Sequence, residues 1–191
     1  QDAEKLSGKG DTSQKLTLMK TSADSLKKSA DALNDSSLWE KKKIKKKDEK
    51  TGEEIEVEDY DWDKITKAVK SFVEDYNDVV KEAGESNTKD VLRNASWMTG
   101  MTDKNSNMLA KIGITIGKGN KLELDEDALK QADISSLKTV FTGYNSFVSK
   151  ISQKATGISN AANRASATYT NNGTYSKTDS SLTSSKIDKE V

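Results

Sequence analysis

Residues 134–165 read ISSLKTVFTGYNSFVSKISQKATGISNAANRA, and they carry the strongest pattern in this sequence. Apolar and small residues recur at alternating spacings of three and four, which is typical of the buried seam of a packed helix. The seam positions are Ile134, Leu137, Phe141, Tyr144, Val148, Ile151, Ala155, Ile158, Ala162 and Ala165. The pattern predicts one unbroken helix of roughly 35 residues, over 50 Å long at about 1.5 Å per residue.

Two earlier seams with the same spacing predict helices that pack against this one. The first helix is expected from about Ser13 to residues 34–37, with Leu16, Met19, Ala23, Leu26, Ala30 and Leu33 in its seam. The second is expected from Asp61, as the N-cap, to Gly84, with Ile65, Val69, Phe72, Tyr76, Val79 and Ala83 in its seam. We expect the following seam residues to form the core: Leu26, Leu33, Phe72, Tyr76, Phe141, Tyr144, Val148 and Ile151.

The composition favours long helices with a narrow core. Hydrophobic residues make up 32% of the 191-residue chain, against about 45–50% in an average compact domain. The chain contains no proline, and an internal proline would cost a helix about 3 kcal/mol. We therefore predict a mainly α fold, an elongated antiparallel helical bundle or coiled coil with two small β-hairpins.

The first hairpin is predicted at residues 40–60 and is highly charged. A basic run, Lys41–Lys47, and an acidic run, Glu53–Asp59, flank a turn that contains Gly52. A lone hairpin is marginally stable in water. We expect this one either to rest on the bundle through Trp39, Tyr60 and Trp62 or to be mobile.

The second hairpin is predicted at residues 112–124, around the loop 117–121. A shorter helix is expected before it, at residues 88–97. After the hairpin, Asp125 is expected to cap a helix, with Leu124 and Leu129 packing around the cap.

These elements predict three regions along the chain. Residues 1–12 are expected to be a flexible lead-in, and residues 13–169 a helical domain that includes both hairpins. Residues 170–191 are rich in Ser, Thr and Asn. They are expected to be flexible and to lead to a possible coiled coil.

Composition argues against several functions. Lys plus Arg and Asp plus Glu number 31 each, so the basic excess typical of nucleic-acid binding is missing. Without histidine or cysteine, the usual general base, a thiolate zinc site and a cysteine nucleophile are all lacking. No stretch has the roughly 20 apolar residues of a membrane-spanning helix. We predict no enzyme activity, no cofactor, no nucleic-acid partner and no membrane insertion.

Two short motifs invite a ligand-binding interpretation that their context opposes. The loop Gly117-Lys118-Gly119 lacks the spacing of a P-loop and leads into a strand rather than a helix, which favours a hairpin turn. The acids at 125–127 lack calcium-binding EF-hand spacing. They suit the first turn of a helix, where they complement its dipole.

Two groups of residues are candidates for partner binding. Lys41, Lys43, Lys45 and Lys47 could bind an acidic partner, although pairing with the acidic run is the favoured interpretation. Trp97, Met98 and Met101 could form an adhesive patch, although such residues on a short amphipathic helix are more often core.

Several short strings resemble the C-terminal region of the flagellar filament-cap family, also called flagellar hook-associated protein 2. Residues 72–80, FVEDYNDVV, are similar to the family's helix with the pattern FVxxYNxLV. Residues 108–115, MLAKIGIT, and 120–129, NKLELDEDAL, are similar to the family's pattern LxxIGI…GxLxLDExxL. The likeness covers about residues 65–191, and Leu16–Trp39 looks like the family's earlier helix.

The resemblance implies a structural protein exported to the outside of the cell and to the bacterial flagellum. It also implies binding to flagellin and to its own copies through terminal coils. In the family, two β-rich head domains stand where this chain has only residues 40–60. We keep two interpretations open: a cap-like assembly protein, and a secreted or surface adhesin-like module with the hairpin as its contact point.

Overall fold

The structure is a computed structural model that describes the backbone of residues 10–184 and the side chains of residues 10–168. The helices are α1 (Ser13–Leu33), α2 (Trp62–Gly84), α3 (Lys89–Lys104), α4 (Ser106–Ala110), α5 (Glu126–Gln131), α6 (Ile134–Phe141) and α7 (Phe147–Ser184). The strands are β1 (Lys42–Lys47), β2 (Glu54–Asp59), β3 (Ile114–Ile116) and β4 (Leu122–Leu124), and short 3₁₀ helices occupy Ser36–Trp39 and Lys118–Asn120. The predicted mainly α fold with two small hairpins is confirmed.

The bundle is built around α1, which packs against both α7 and α2, while α3 packs against α7. Thr12 caps α1, since its hydroxyl accepts a hydrogen bond from the Lys15 backbone N–H at 3.2 Å. The predicted α1 and α2 seams are buried from Leu16 to Leu33 and from Ile65 to Ala83. Their spacing lets each helix bury one narrow stripe and keep its charged residues in water.

Tyr76 shows how a polar group is accommodated in this core. Its ring is fully buried, and its hydroxyl donates a hydrogen bond to Thr102 Oγ1 at 2.8 Å. Burial raises the pKa of Tyr76 to about 12, because the charged phenolate would lose its hydration. The bond joins α2 to α3.

The long helix predicted from Ile134 is broken into α6 and α7, so that prediction was wrong. Thr142 is extended and Gly143 has a φ of 100°, a conformation that glycine adopts without strain. The Asn34 side chain holds this break, because its Oδ1 accepts from the Gly143 N–H at 2.8 Å. Tyr144, predicted in the core, lies in the break and is 83% exposed.

The break changes which residues continue the seam. Phe147, outside the predicted spacing, is buried and meets the Phe72 ring edge-on at 6.3 Å between centroids. Val148 and Ile151 are buried, as the seam predicts. Two helices joined by a turn can therefore bury both Phe141 and Phe147.

The second hairpin joins the bundle through an asparagine. The side chain of Asn77 on α2 accepts from the Leu122 N–H at 2.7 Å and donates to the Leu122 carbonyl at 2.9 Å. Asp125 caps α5 as predicted, accepting from the Ala128 N–H at 3.0 Å. The helix predicted at 88–97 is longer than expected and continues to Lys104.

Asp11 belongs to the folded unit, although we predicted it in a flexible lead-in. Its carboxylate accepts hydrogen bonds from the hydroxyls of Ser86 and Thr88 at 2.7 and 2.6 Å. It also accepts from the backbone N–H groups of Asn87 and Thr88. These bonds tie the start of α1 to the turn between α2 and α3; the rest of the lead-in up to residue 9 lies outside the described residues.

Candidate interaction surfaces

The hairpin β1–β2 carries only lysine and glutamate on one face and a mixture of apolar and charged residues on the other. Its antiparallel register places Lys43, Lys45 and Lys47 opposite Glu58, Glu56 and Glu54. Because side chains alternate along a strand, these six residues share one face. We call it the charged face of the hairpin. The other face carries the three apolar residues Ile44, Ile55 and Val57 together with Lys42, Lys46 and Asp59.

The charged face is exposed to solvent over its whole length. Lys43 Nζ lies 3.8 Å from Glu56 Oε1, and on the other face Lys46 pairs with Asp59. Exposed ion pairs of this kind contribute about 0–1 kcal/mol each. One of the predicted Lys–Glu pairs, Lys43–Glu56, is present, and the charged face stays exposed to solvent.

Aromatic residues join this hairpin to the bundle. Tyr60 and Trp62 are partly buried against the core and meet edge-on at 6.2 Å, and Lys41 lies 5.7 Å above the Tyr60 ring. Trp39 is buried and donates its indole N–H to the Leu33 carbonyl at 2.7 Å. These three aromatic residues are the predicted contact points. Lys41 precedes β1 and lies outside the charged face.

The candidate patch on α3 is split between surface and core. Trp97 is 48% exposed, and Lys154 Nζ of α7 lies 4.1 Å from its ring centroid. Met98 and Met101 are buried, so their inclusion in a surface patch was wrong. Met98 and Met101, one and four positions after Trp97, lie on the buried side of α3, which packs against α7 and α2.

A shallow groove that the sequence did not indicate lies beside this patch. It has a volume of about 290 Å³, between the end of α2, the Leu92–Thr99 face of α3 and the turn at Gly119–Asn120. Leu92 is 39% exposed there. The small residues that open the groove, such as Gly84 and Ala95, occur throughout the chain, so their presence in the sequence gives no specific signal.

Two matching polar contacts set the register of α1 against α7. Ser159 Oγ donates to Asp24 at 2.6 Å, and Ser152 Oγ donates to Asp31 at 2.7 Å. Asp24 and Asp31 are seven residues apart on one helix, and Ser159 and Ser152 are seven apart on the other. We call these two contacts the register pairs. Because α1 and α7 are antiparallel, the same spacing of seven residues on both helices lets both contacts form.

Each register aspartate also has a lysine four residues before it. Lys20 lies 2.7 Å from Asp24, and Lys27 pairs with Asp31. Burial alone would raise the pKa of each carboxyl, but the bonds from the lysine and the serine outweigh it. The pKa of Asp24 and of Asp31 is therefore below the ordinary value.

The same register shows that α7 extends beyond α1. Continued toward the start of α1, it places Ser13 opposite residue 170, yet α7 continues to Ser184. The backbone of residues 171–184 therefore projects about 21 Å past α1 at about 1.5 Å per residue. The predicted flexibility of 170–191 stays a prediction, and residues 185–191 lie outside the described residues.

No group of His, Cys, Asp or Glu within the described residues has a metal-binding arrangement. The acids at 125–127 instead begin a helix that Asp125 caps, and the loop at 117–119 joins β3 to β4. No helix of the described segment is both long and apolar enough to cross a membrane.

The fold and these surfaces define a helical bundle whose accessible features are a charged hairpin, a shallow groove and an extended helix. The chain belongs to the family described as flagellar hook-associated protein 2, C-terminus, whose model matches residues 86–190, more than half of the sequence. This is a family of structural flagellar proteins, not an enzyme family. Separate searches of curated proteins and of solved structures found no match.

The matched region runs from just before α3 through the whole of α7. The charged hairpin and α1 precede it. Of the candidate partner-binding residues, Lys43, Lys45 and Lys47 lie together on the hairpin, and Trp97 lies separately on α3. The structure therefore places the exposed candidates of the hairpin and of α3 on two distinct surfaces, while Met98 and Met101 lie in the core.

Proposed function

We propose that this chain is a cap-like assembly protein of the bacterial flagellum that binds flagellin or its own copies at the filament end. The family match over residues 86–190 is the observation that carries the proposal. The proposed location is the flagellum, outside the cell.

The extension of α7 supplies a physical basis for assembly. A helix that continues past its partner offers a surface that another helix can cover. We propose that residues 171–184 pair with terminal segments of neighbouring copies. Residues 13–169 would then form the leg that holds this segment at the filament end.

The first experiment is light scattering coupled to size exclusion on the full chain, followed by binding to flagellin and to isolated filaments. We expect a discrete oligomer at micromolar concentration and labelled protein at filament ends. A chain that stays monomeric and binds neither flagellin nor filament ends would overturn the proposal.

A chain ending at residue 169 is the matched variant for this test. It keeps the described core and loses the extension of α7, so it should fold but assemble much more weakly. Equal assembly by both chains would show that the contact between copies lies on the bundle or the hairpin and not on the extension of α7.

The charged hairpin supports a second candidate, a secreted or surface adhesin-like module. Its charged face is fully exposed and stands apart from the bundle core. Replacing Lys41, Lys43, Lys45 and Lys47 with Ser should then abolish surface binding and leave the helical circular dichroism unchanged. Unchanged surface binding would reject this candidate.

A further inference from the structure

The hairpin β1–β2 has two open edges. Its sheet contains only these two strands within the described part of the chain. Each strand therefore uses one edge for its hairpin partner and leaves the other edge unpaired. An unpaired edge presents backbone N–H and C=O groups that can add another strand.

The two open edges carry opposite charge. The β1 sequence KKIKKK contains lysine at five of six positions, while β2, EIEVED, contains acidic residues at four of six. Lysine-rich edges normally prevent strands of the same kind from pairing. Here that repulsion acts between two β1 edges and between two β2 edges, but a β1 edge attracts a β2 edge.

We propose that the acidic β2 edge of one copy pairs with the basic β1 edge of a second copy, so that neighbouring hairpins form one continuous antiparallel sheet. This inference rests on the proposed assembly function and names the surface that joins the copies. Each copy would use its β2 edge to bind one neighbour and its β1 edge to bind another. Such a head-to-tail contact closes into a ring or continues as a filament.

Three apolar residues on the face opposite the charged face give the same contact a hydrophobic contribution. Ile55 is 39% exposed, and Ile44 and Val57 are half-buried. Placing sheets edge to edge brings Ile55 and Val57 of one copy beside Ile44 of the next and reduces their exposure to water. Added strands also strengthen a two-stranded sheet, which is marginally stable alone.

A charge-swapped full chain provides the decisive test. The variant carries Lys43→Glu, Lys45→Glu, Lys47→Glu, Glu54→Lys, Glu56→Lys and Glu58→Lys. Each opposed pair within the hairpin remains attractive, so the variant should fold. It should also assemble with itself, because its two edges are again of opposite sign on the charged face.

The variant and the unchanged chain should not assemble with each other. Every contact between them would place like charges opposite on the charged face, which is unfavourable across a sheet. With donor and acceptor dyes on the two chains, we expect the mixed energy-transfer signal to be at least about tenfold below that of either chain mixed with itself. Assembly of each chain alone should weaken between about 0.05 and 0.5 M salt.

The matched control swaps two exposed charges on α3, Asp103→Lys with Lys104→Glu, and should mix freely with the unchanged chain. Free mixing of the hairpin variant as well would overturn the inference while leaving the assembly function intact. A chain that binds filament ends but stays monomeric would likewise overturn the edge-pairing inference and leave the assembly function intact. Absence of both self-assembly and flagellin binding would overturn the inference and the proposed function together.

Discussion

At the residue scale, aromatic side chains hold the junction between the helices. The rings of Trp39 and Phe141 stack with centroids 5.5 Å apart and planes within 10°, and Phe72 meets Phe147 edge-on. Such pairs contribute about 0.5–1.5 kcal/mol beyond the burial of their surface. The first pair joins the 3₁₀ helix Ser36–Trp39 to α6, and the second joins α2 to α7.

Phe141→Ala and Phe72→Ala should each lower the free energy of unfolding by about 3–5 kcal/mol, since both rings are fully buried. Urea denaturation followed by circular dichroism measures the change. Tyr144→Ala is the matched control and should change it by less than about 0.5 kcal/mol, because Tyr144 is exposed. A loss under about 1 kcal/mol at both phenylalanines would contradict the assigned core.

The charge of Asp11 helps to anchor the start of α1 to the turn between α2 and α3. Burial by itself would raise its pKa, but the bonds from Ser86, Thr88 and Asn87 outweigh it and hold the pKa below the ordinary value. A carboxyl with a lowered pKa stabilises the folded state fully above its unfolded pKa. That contribution is lost as the pH falls through the folded-state pKa.

Asp11→Ala should therefore lower the free energy of unfolding at pH 7 by about 1.5–3 kcal/mol, the range for hydrogen bonds to a charged group. The difference from the unchanged chain should shrink as the pH falls below about 4, because the unfolded chain then takes up a proton at Asp11 while the folded chain still holds this carboxylate ionised. Denaturation curves from pH 7 to 3 measure this. The exposed Asp103→Ala is the control, and a pH-independent loss for Asp11→Ala would contradict the assigned charge.

At the element scale, the register pairs decide how α1 lies along α7. Leucine and alanine seams tolerate a shift of seven residues, since the pattern repeats. In the observed register, Asp24 pairs with Ser159 and Asp31 pairs with Ser152. A shift by one heptad would leave one buried serine without its aspartate, which costs free energy.

A double-mutant cycle with Asp31→Ala and Ser152→Ala should give a coupling energy of about 0.5–1 kcal/mol, reduced because Asp31 is partly exposed. The control cycle pairs Asp24→Ala with Ser152→Ala, which do not contact each other, and should give a coupling near zero. Chemical denaturation measures both cycles. Equal coupling in the two would show that the pairs do not set the register.

At the scale of the whole molecule, the core and the extension of α7 are separate. Leu16 is buried near the start of α1, and the core follows α7 as far as Ala162, with Ala165 partly buried. The backbone beyond residue 170 has no α1 residue opposite it. Folding and assembly should therefore depend on different parts of the chain.

Ending the chain at residue 169 should change the free energy of unfolding by less than about 1 kcal/mol while reducing self-association. Urea denaturation and light scattering on the same two chains measure the two effects. A large loss of stability on truncation would show that residues 170–191 pack on the bundle.

The sequence by itself determined the helical class, the seams of α1 and α2, both hairpins and the Asp125 cap. These depend on local spacing and on short polar residues that act within a few positions. It also indicated the charged hairpin as a candidate surface, because the basic and acidic runs are contiguous. The family resemblance likewise rested on short strings and their order.

Only the tertiary structure decided the break at Gly143, the exposure of Tyr144 and the burial of Met98 and Met101. An unbroken spacing of three and four also fits two helices joined by a turn. The choice depends on Asn34, which is 109 positions away in sequence and binds Gly143. Contacts between residues so far apart leave no trace in local spacing, and for the same reason the register pairs could be recognised only once α1 and α7 lay side by side.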